Sequence, residues 1–193
     1  MRLILIRHGP TAWNRSGRLQ GRHDLPLDGD GCRTVAGWRP DPAWPGLECR
    51  TSPLRRAMQT AELLGFNHRE SEPLLIEMAW GRFEGCTIAG LRAELGDEMA
   101  ANEARGLDFR PPGGESPREV VERFMILAQN LCDAPGDRVL VTHKGVRRAA
   151  IVAATQWNML GKPPVRVLDD EALLLDLDEA TGRLSLAGTA PMT

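Results

Sequence analysis

The sequence predicts an α/β fold, a layered α/β/α sandwich around a mostly parallel central sheet. Two short apolar runs, residues 3–6 and 139–141, contain no polar break, which is typical of strands buried on both faces of a parallel sheet. Helical patterns lie between the predicted strands, as in layered α/β proteins. The 193 residues show no linker, repeat or low-complexity tract, so we expect a single domain over residues 1–193.

After the first strand, residues 11–31 are polar and rich in Gly, Asp and Arg, and this composition indicates a loop. A short helix is expected to begin within residues 35–38. Three prolines then end regular structure, so residues 37–46 are predicted as loop. Residues 47–51 form the second predicted strand.

The following helix has clear boundary signals. Ser52 is a suitable N-cap, Pro53 fits the first helical position, and Gly65 follows the last residue of the apolar stripe. The first turn carries Arg55 and Arg56, although the helix dipole favours negative charge there. This pattern indicates either a bound anion or two solvated arginines.

Residues 73–76 are predicted as a strand that ends at Glu77, and residues 80–85 as a compact turn. A helix is expected over residues 87–95. Residues 102–114 are polar and interrupted by Pro and Gly, so they are predicted as a loop.

A capping box of Ser116 and Glu119, with Pro117 between them, opens the next helix. An apolar strand over residues 138–142 and a helix over about 146–155 follow. Two final strands joined by a turn are predicted at residues 172–177 and 184–187.

Composition excludes several classes of function. A formal net charge of −2 gives no support for a nucleic-acid or membrane surface. No apolar run approaches the length of a membrane span, and the first strand is too short for the core of a signal peptide. The four cysteines lie far apart without a CxxC pair, which favours reduced thiols and a cytoplasmic location.

Two of the predicted buried strands are followed directly by a histidine, His8 and His143, with basic residues and a glycine nearby. If the strands are neighbours, these imidazoles share a pocket with Arg7 and Arg56, because ligands bind at the carboxyl ends of such strands. Guanidinium groups and helix N-termini suit a phosphate dianion. The alternative for His143 is a buried histidine of the core.

A metal ion is the competing ligand for a histidine pair. Arg7, Arg56 and Lys144 would repel a cation, and no Asp or Cys stands at ligand spacing beside either histidine. The GxxxxGK[ST] phosphate-binding motif does not occur. We therefore expect neither a metal nor a cofactor.

Four stretches of the chain, in order, resemble the motifs of the histidine phosphatase superfamily, the phosphoglycerate mutase-like family. They are residues 7–11 with 13–14, 17–21 and 24–27; residues 51–57; Glu77 with residues 81 and 83–85; and residues 141–148. The resemblance implies the phosphoglycerate mutase-like fold. It extends from the start of the chain to about residue 148.

The resemblance also implies a mechanism. His8 would attack phosphorus and carry the phosphoryl group, and Arg7, Arg56 and His143 would bind its oxygens. Glu77 would protonate the leaving alcohol and then accept a proton from water. Acidic residues of nearby segments remain alternatives for this last role: Glu84, Glu94 and Glu115.

Asn14, Gln20 and Gly21 match family positions at the mouth of the substrate site, although they could be ordinary loop residues. Lys144 departs from the pattern, because many members have glycine after the second histidine. A lysine there would contact substrate or shift His143.

The segment 112–116 is short, as in the phosphatase members that this chain resembles. We therefore expect a phosphomonoesterase acting on a small phosphorylated metabolite. A mutase and a non-catalytic phospholigand-binding module are the alternatives. Arg105 and Arg110 are further candidates to contact a second anionic group of the ligand. Oligomeric state is left open.

Overall fold

The structure is a computed structural model that describes residues 1–134 and 136–192. One six-stranded sheet forms its centre, in the order β3-β2-β4-β1-β5-β6. Its strands are β1 (Arg2–Arg7), β2 (Glu48–Thr51), β3 (Arg69–Ser71), β4 (Arg138–Thr142), β5 (Glu171–Leu177) and β6 (Leu184–Pro191).

Seven α-helices accompany the sheet in the described residues. They are α1 (Ala12–Arg15), α2 (Gly29–Gly37), α3 (Arg55–Leu63), α4 (Ile88–Leu95), α5 (Asp97–Glu103), α6 (Pro117–Leu131) and α7 (Lys144–Thr155). Short 3-10 helices occur at Trp44–Gly46, Pro73–Leu75, Gly81–Phe83 and Gly106–Asp108. Among the residues the structure describes, no helix is both long and apolar enough to cross a membrane.

The mostly parallel α/β sheet predicted from the sequence is confirmed. Strands β1 to β4 run parallel, whereas β5 pairs antiparallel with β1 and β6 pairs antiparallel with β5. Alternate side chains of β1 enter two apolar clusters: Leu3 and Leu5 pack with α6 and α7, and Ile4 and Ile6 with α3. Apolar burial on both faces explains why this strand has no polar residue between Leu3 and Ile6.

The register of the central strands brings the two histidines together. Arg7 of β1 lies opposite Thr142 of β4, and the His8 backbone N–H donates to the Thr142 carbonyl at 2.9 Å. His8 and His143 each follow these paired residues. They therefore leave the sheet side by side, at its carboxyl edge.

Two sequence predictions are wrong in this region. The predicted strand at 73–76 is a 3-10 turn, Pro73–Leu75, whose start is capped by the Glu72 side chain. Ser52 does not cap α3, which begins at Arg55 and has no capping side chain at Leu54. The Arg55 N–H instead donates to Asp24 Oδ1 at 2.7 Å, so a distant loop supplies the acceptor that Ser52 was expected to provide.

Four elements fall where the sequence predicts loop or nothing regular: α1, most of α2, α5 and β3. The glycine-rich α2 is initiated by Asp28, which accepts from the Gly31 N–H at 2.8 Å. This cap offsets the low helix propensity of glycine. The last predicted helix begins two residues earlier than expected, at Lys144.

Candidate active site

His8 follows β1 and is 4% exposed. Its Nδ1 lies 2.7 Å from the Gly9 carbonyl oxygen. A carbonyl oxygen only accepts, so Nδ1 must carry the ring proton. In the neutral ring the lone pair therefore belongs to Nε2, the nitrogen available for attack.

The surroundings of His8 keep its ring neutral. Burial is the largest influence that lowers the pKa of His8 well below its ordinary value, followed by the charges of Arg7 and Arg56. The hydrogen bond to Gly9 acts in the opposite direction but is outweighed. A neutral imidazole is the form that can act as a nucleophile.

His143 is fully buried behind His8, with ring centroids 5.1 Å apart and planes tilted by 55°. Its Nε2 lies 2.7 Å from Ser52 Oγ, and its Nδ1 has no hydrogen-bond partner among the described residues. Burial, the charge of His8 and then that of Arg56 lower the pKa of His143. His143 is not among the residues that line the cavity described below.

Arg56 lies fully buried in the first turn of α3. Its guanidinium donates to the carbonyls of Gly21 and His23, each at 2.8 Å. Within the described part of the chain, its Nε has no acceptor and no carboxylate forms an ion pair with it. A buried cation held only by carbonyls indicates a site for an anion.

Gly21 must be glycine for this arrangement. Its φ is +52°, and an added Cβ would lie 2.0 Å from Glu84 Oε1. A larger residue would strain the backbone at this positive φ and displace the Glu84 side chain, beside a carbonyl that accepts from Arg56.

Arg7 forms an ion pair with Asp169, and its Nε has no partner within residues 1–134 and 136–192. Asp169 also lies 3.9 Å from the guanidinium of the buried Arg147. Sequence reasoning missed both residues. Arg147 gave a weak signal, since it lies in the fourth family-like stretch, whereas Asp169 gave none.

Glu77 is 8% exposed and directed to the start of α7. Its Oε1 accepts from the Met78 N–H at 2.8 Å, and its Oε2 from the Gly145 N–H at 3.3 Å. Glu84, Glu94 and Glu115 do not line the cavity that Glu77 lines. The geometry therefore favours Glu77 over these alternatives as the carboxyl group of the site.

One cavity of about 780 Å³ contains most of the predicted site residues. Its walls include Arg7, His8, Arg56 and Glu77, together with all four residues predicted to bind substrate: Asn14, Gln20, Gly21 and Lys144. The buried Gln20 Oε1 has no hydrogen-bond partner among the described residues. The Asn14 Oδ1 accepts from the Thr11 backbone and hydroxyl, each at 3.0 Å.

One pair of candidate residues lies elsewhere than the sequence suggested. Arg105 and Arg110 line a separate cavity of about 670 Å³ beside α4 and α5. The structure therefore gives no support to their contact with a second anionic group at the site. Trp80 lines the main cavity, whereas Trp13 packs on His23 with ring centroids 4.8 Å apart. Apolar wall residues that the sequence did not single out include Ile88, Phe109, Val120 and Met159.

Fold and site together place a buried histidine beside Arg7 and the buried Arg56 at the carboxyl edge of the sheet. The chain belongs to the histidine phosphatase superfamily (branch 1), whose family model matches residues 3–186. The family suggested by the four sequence stretches is thereby confirmed.

Individual relatives include both mutases and phosphatases. A 2,3-bisphosphoglycerate-dependent phosphoglycerate mutase of Azorhizobium caulinodans is 30% identical over 78% of this chain and 79% of its own. A glucosyl-3-phosphoglycerate phosphatase of Mycolicibacterium vanbaalenii is 32% identical, with 84% of this chain and 75% of its own covered. The solved mycobacterial glucosyl-3-phosphoglycerate phosphatase in complex with VO3 superposes with a TM-score of 0.75 at 26% identity. That match covers 91% of this chain and 92% of the solved one.

Proposed function

We propose that this protein is a metal-independent phosphomonoesterase that hydrolyses a small phosphorylated metabolite through a phosphohistidine on His8. The observation that carries the proposal is the protonation state and position of the His8 ring. Its Nδ1 proton is engaged by the Gly9 carbonyl, and the ring shares one cavity with Arg56 and Glu77. Membership of the family supports phosphoryl-transfer chemistry in general.

In the first step, the Nε2 lone pair of His8 attacks phosphorus and the bond from phosphorus to the ester oxygen breaks. Arg7 and Arg56 bind the non-bridging oxygens, which hold negative charge throughout the transfer. Glu77 gives its proton to the departing oxygen, so the product leaves as a neutral alcohol.

In the second step, a water attacks the phosphorus of the phosphohistidine. The Glu77 carboxylate accepts a proton from this water, and inorganic phosphate leaves as the bond to Nε2 breaks. Both ends of the reaction use the same carboxyl group, which the N–H groups of Met78 and Gly145 hold in place.

The role of His143 remains a prediction. Its Nε2 is engaged by Ser52, and the side chain lies behind His8 rather than on the cavity wall. Its Nδ1, which has no partner among the described residues, is the ring nitrogen that would contact a phosphoryl oxygen. As it stands, the ring supports His8 by packing against it.

Hydrolysis is proposed over transfer because residues 112–116 form a short connection without basic residues. Because some relatives are mutases, transfer of the phosphoryl group to a second substrate is the alternative. We also propose a cytoplasmic location, which the four unpaired cysteines support.

The test is to incubate the protein in EDTA with labelled small phosphomonoesters, quench, and measure acid-labile label on the protein together with released phosphate. We expect transient label and phosphate release, and a loss of turnover of at least about a thousandfold in His8→Asn. His68→Gln, which changes an exposed histidine, serves as the matched control.

Each result has a definite meaning for the proposal. Label that passes to added phosphoglycerate instead of water would identify a mutase. An absence of label and turnover across the panel, with retained ligand binding, would identify a binding module. Wild-type hydrolysis by His8→Asn would exclude the phosphohistidine.

A further inference from the structure

Two basic residues of α7 line the cavity one helical turn apart, Lys144 and Arg148. Residues separated by four positions lie on the same face of a helix. Lys144 is exposed and Arg148 is half-buried. Both side chains therefore contribute positive charge to the same wall.

The other arginines of the cavity all have hydrogen-bond partners within the protein, as described above for Arg56. Arg7 pairs with Asp169, Arg92 with Glu103 at 3.0 Å, and Arg18 donates to the Gly85 carbonyl at 3.0 Å. By contrast, the side chains of Lys144 and Arg148 have no hydrogen bond or ion pair to any residue within 1–134 and 136–192. Both are positively charged side chains of the cavity wall that form no ion pair with a carboxylate of the described residues.

Arg148 is held in place by stacking. Its guanidinium carbon lies 4.9 Å from the centre of the Trp157 ring, a favourable cation–π distance that leaves the guanidinium N–H groups free to donate.

The surroundings of Lys144 are predominantly positive. Partial desolvation at the cavity wall, and then the charges of Arg7 and Arg148, lower the pKa of Lys144, and the charge of Asp169 opposes them only in part. Asp169 already forms an ion pair with Arg7. An anion bound here would offset this mutual repulsion of the cations.

In the proposed mechanism, the guanidinium groups of Arg7 and Arg56 donate to the oxygens of the phosphoryl group. Lys144 and Arg148 are not needed for these contacts. We infer that they form a second anion subsite, and that the metabolite carries a carboxylate or a second phosphate on the part that leaves as alcohol. This inference rests on the proposed function for the identity of the first subsite.

The test compares ligands that differ only in their tails. Alkyl phosphonates, which are not hydrolysed, would carry a methyl, carboxylate or second phosphonate end on linkers of graded length. Their dissociation constants are measured by calorimetry, and hydrolysis of the corresponding phosphate esters is measured in parallel. The variants are Lys144→Gln, Arg148→Gln and the double variant. Arg105→Gln, in the separate cavity, is the matched control.

For at least one linker, we expect the wild-type protein to prefer an anionic tail to the methyl tail. The double variant should lose about tenfold of that preference, as for two partly exposed ion pairs. The Arg105→Gln variant should keep it. The carboxylate and phosphonate arms show which anion the subsite takes.

Binding and turnover separate the two proposals. Tail-dependent binding that falls in the double variant, without hydrolysis of any ester, would overturn the phosphatase and leave the subsite standing. Hydrolysis with the same tail preference in wild type and double variant would overturn the subsite and leave the phosphatase standing.

Discussion

The position of the Glu77 carboxylate depends on the absence of a side chain at Gly145, in the first turn of α7. An added Cβ at Gly145 would lie 2.3 Å from Glu77 Oε1, far inside contact distance. The atom in its way is the end of a flexible side chain, so the carboxylate would move while the backbone remains. Gly145 is thus required by the site rather than by the fold.

Gly145→Ala is therefore expected to lower hydrolysis of an alkyl phosphate about a hundredfold, the usual contribution of a placed acid or base. An ester of 4-nitrophenol needs no proton on its leaving group, so its first step should be less affected. Labelled phosphohistidine should then accumulate, because the attack of water still needs Glu77. Rapid quenching with labelled ester measures both steps.

Gly37→Ala is the control for the glycine substitution, since an added Cβ there meets nothing within 4 Å. Both variants should melt near the wild-type temperature. Equal rates in Gly145→Ala and wild type would show that the carboxylate of Glu77 is not used.

At the scale of elements, Glu115 joins three segments around the cavity. Its carboxylate accepts from the Ala79 N–H at 2.9 Å, next to the segment of Glu77. It also forms ion pairs with Arg22, the residue after Gly21, at 2.8 Å and with Arg123 of α6 at 3.3 Å. The two sides of the site are thereby fixed relative to α6.

Removal of the Glu115 carboxylate leaves Arg123, whose side chain is 12% exposed, without its acidic partner. We expect Glu115→Ala to lower the free energy of unfolding by about 2 kcal/mol, because an uncompensated, largely buried charge is costly. Urea denaturation measures this change. Asp108→Ala removes a carboxylate from an exposed pair with Arg118 and should have little effect. Similar losses in both variants would contradict the role of Glu115.

Helices and strands can be predicted from the sequence when the interactions that start or end them come from residues nearby in the chain. Helix α6 is predicted because Ser116 and Glu119 cap it through neighbours in the chain, and both capping bonds are present. The start of α3 is mispredicted because its acceptor comes from Asp24, far away in sequence. The predicted strand at 73–76 fails because Glu72 caps a 3-10 turn there.

For the molecule as a whole, the site is predictable where topology alone builds it. His8 and His143 meet because β1 and β4 are neighbours, and Arg56 joins them from the helix after β2. Asp169 and the Ser52 contact with His143 arise from long-range packing. No spacing in the sequence contains that information.

The same topology buries two histidines at the centre of the molecule, with consequences for its stability. The pKa of each is lowered in the folded state, first by burial and then by neighbouring positive charge. The unfolded chain therefore binds more protons than the folded protein between the folded pKa and the ordinary value near 6.5. Folding is penalised in this range, and the penalty grows as the pH falls.

We expect the free energy of unfolding to show little histidine dependence above about pH 7. Below pH 6.5 it should fall, approaching about 1.4 kcal/mol per pH unit for each histidine. Carboxylates with lowered pKa, such as Asp178, affect stability mainly below about pH 5, so urea denaturation between pH 5 and 8 isolates the histidines. His143→Gln should remove about half of the slope, whatever its effect on absolute stability, and His68→Gln, at an exposed position, should leave it unchanged. An unaltered slope in His143→Gln would mean that its imidazole is not held neutral by burial.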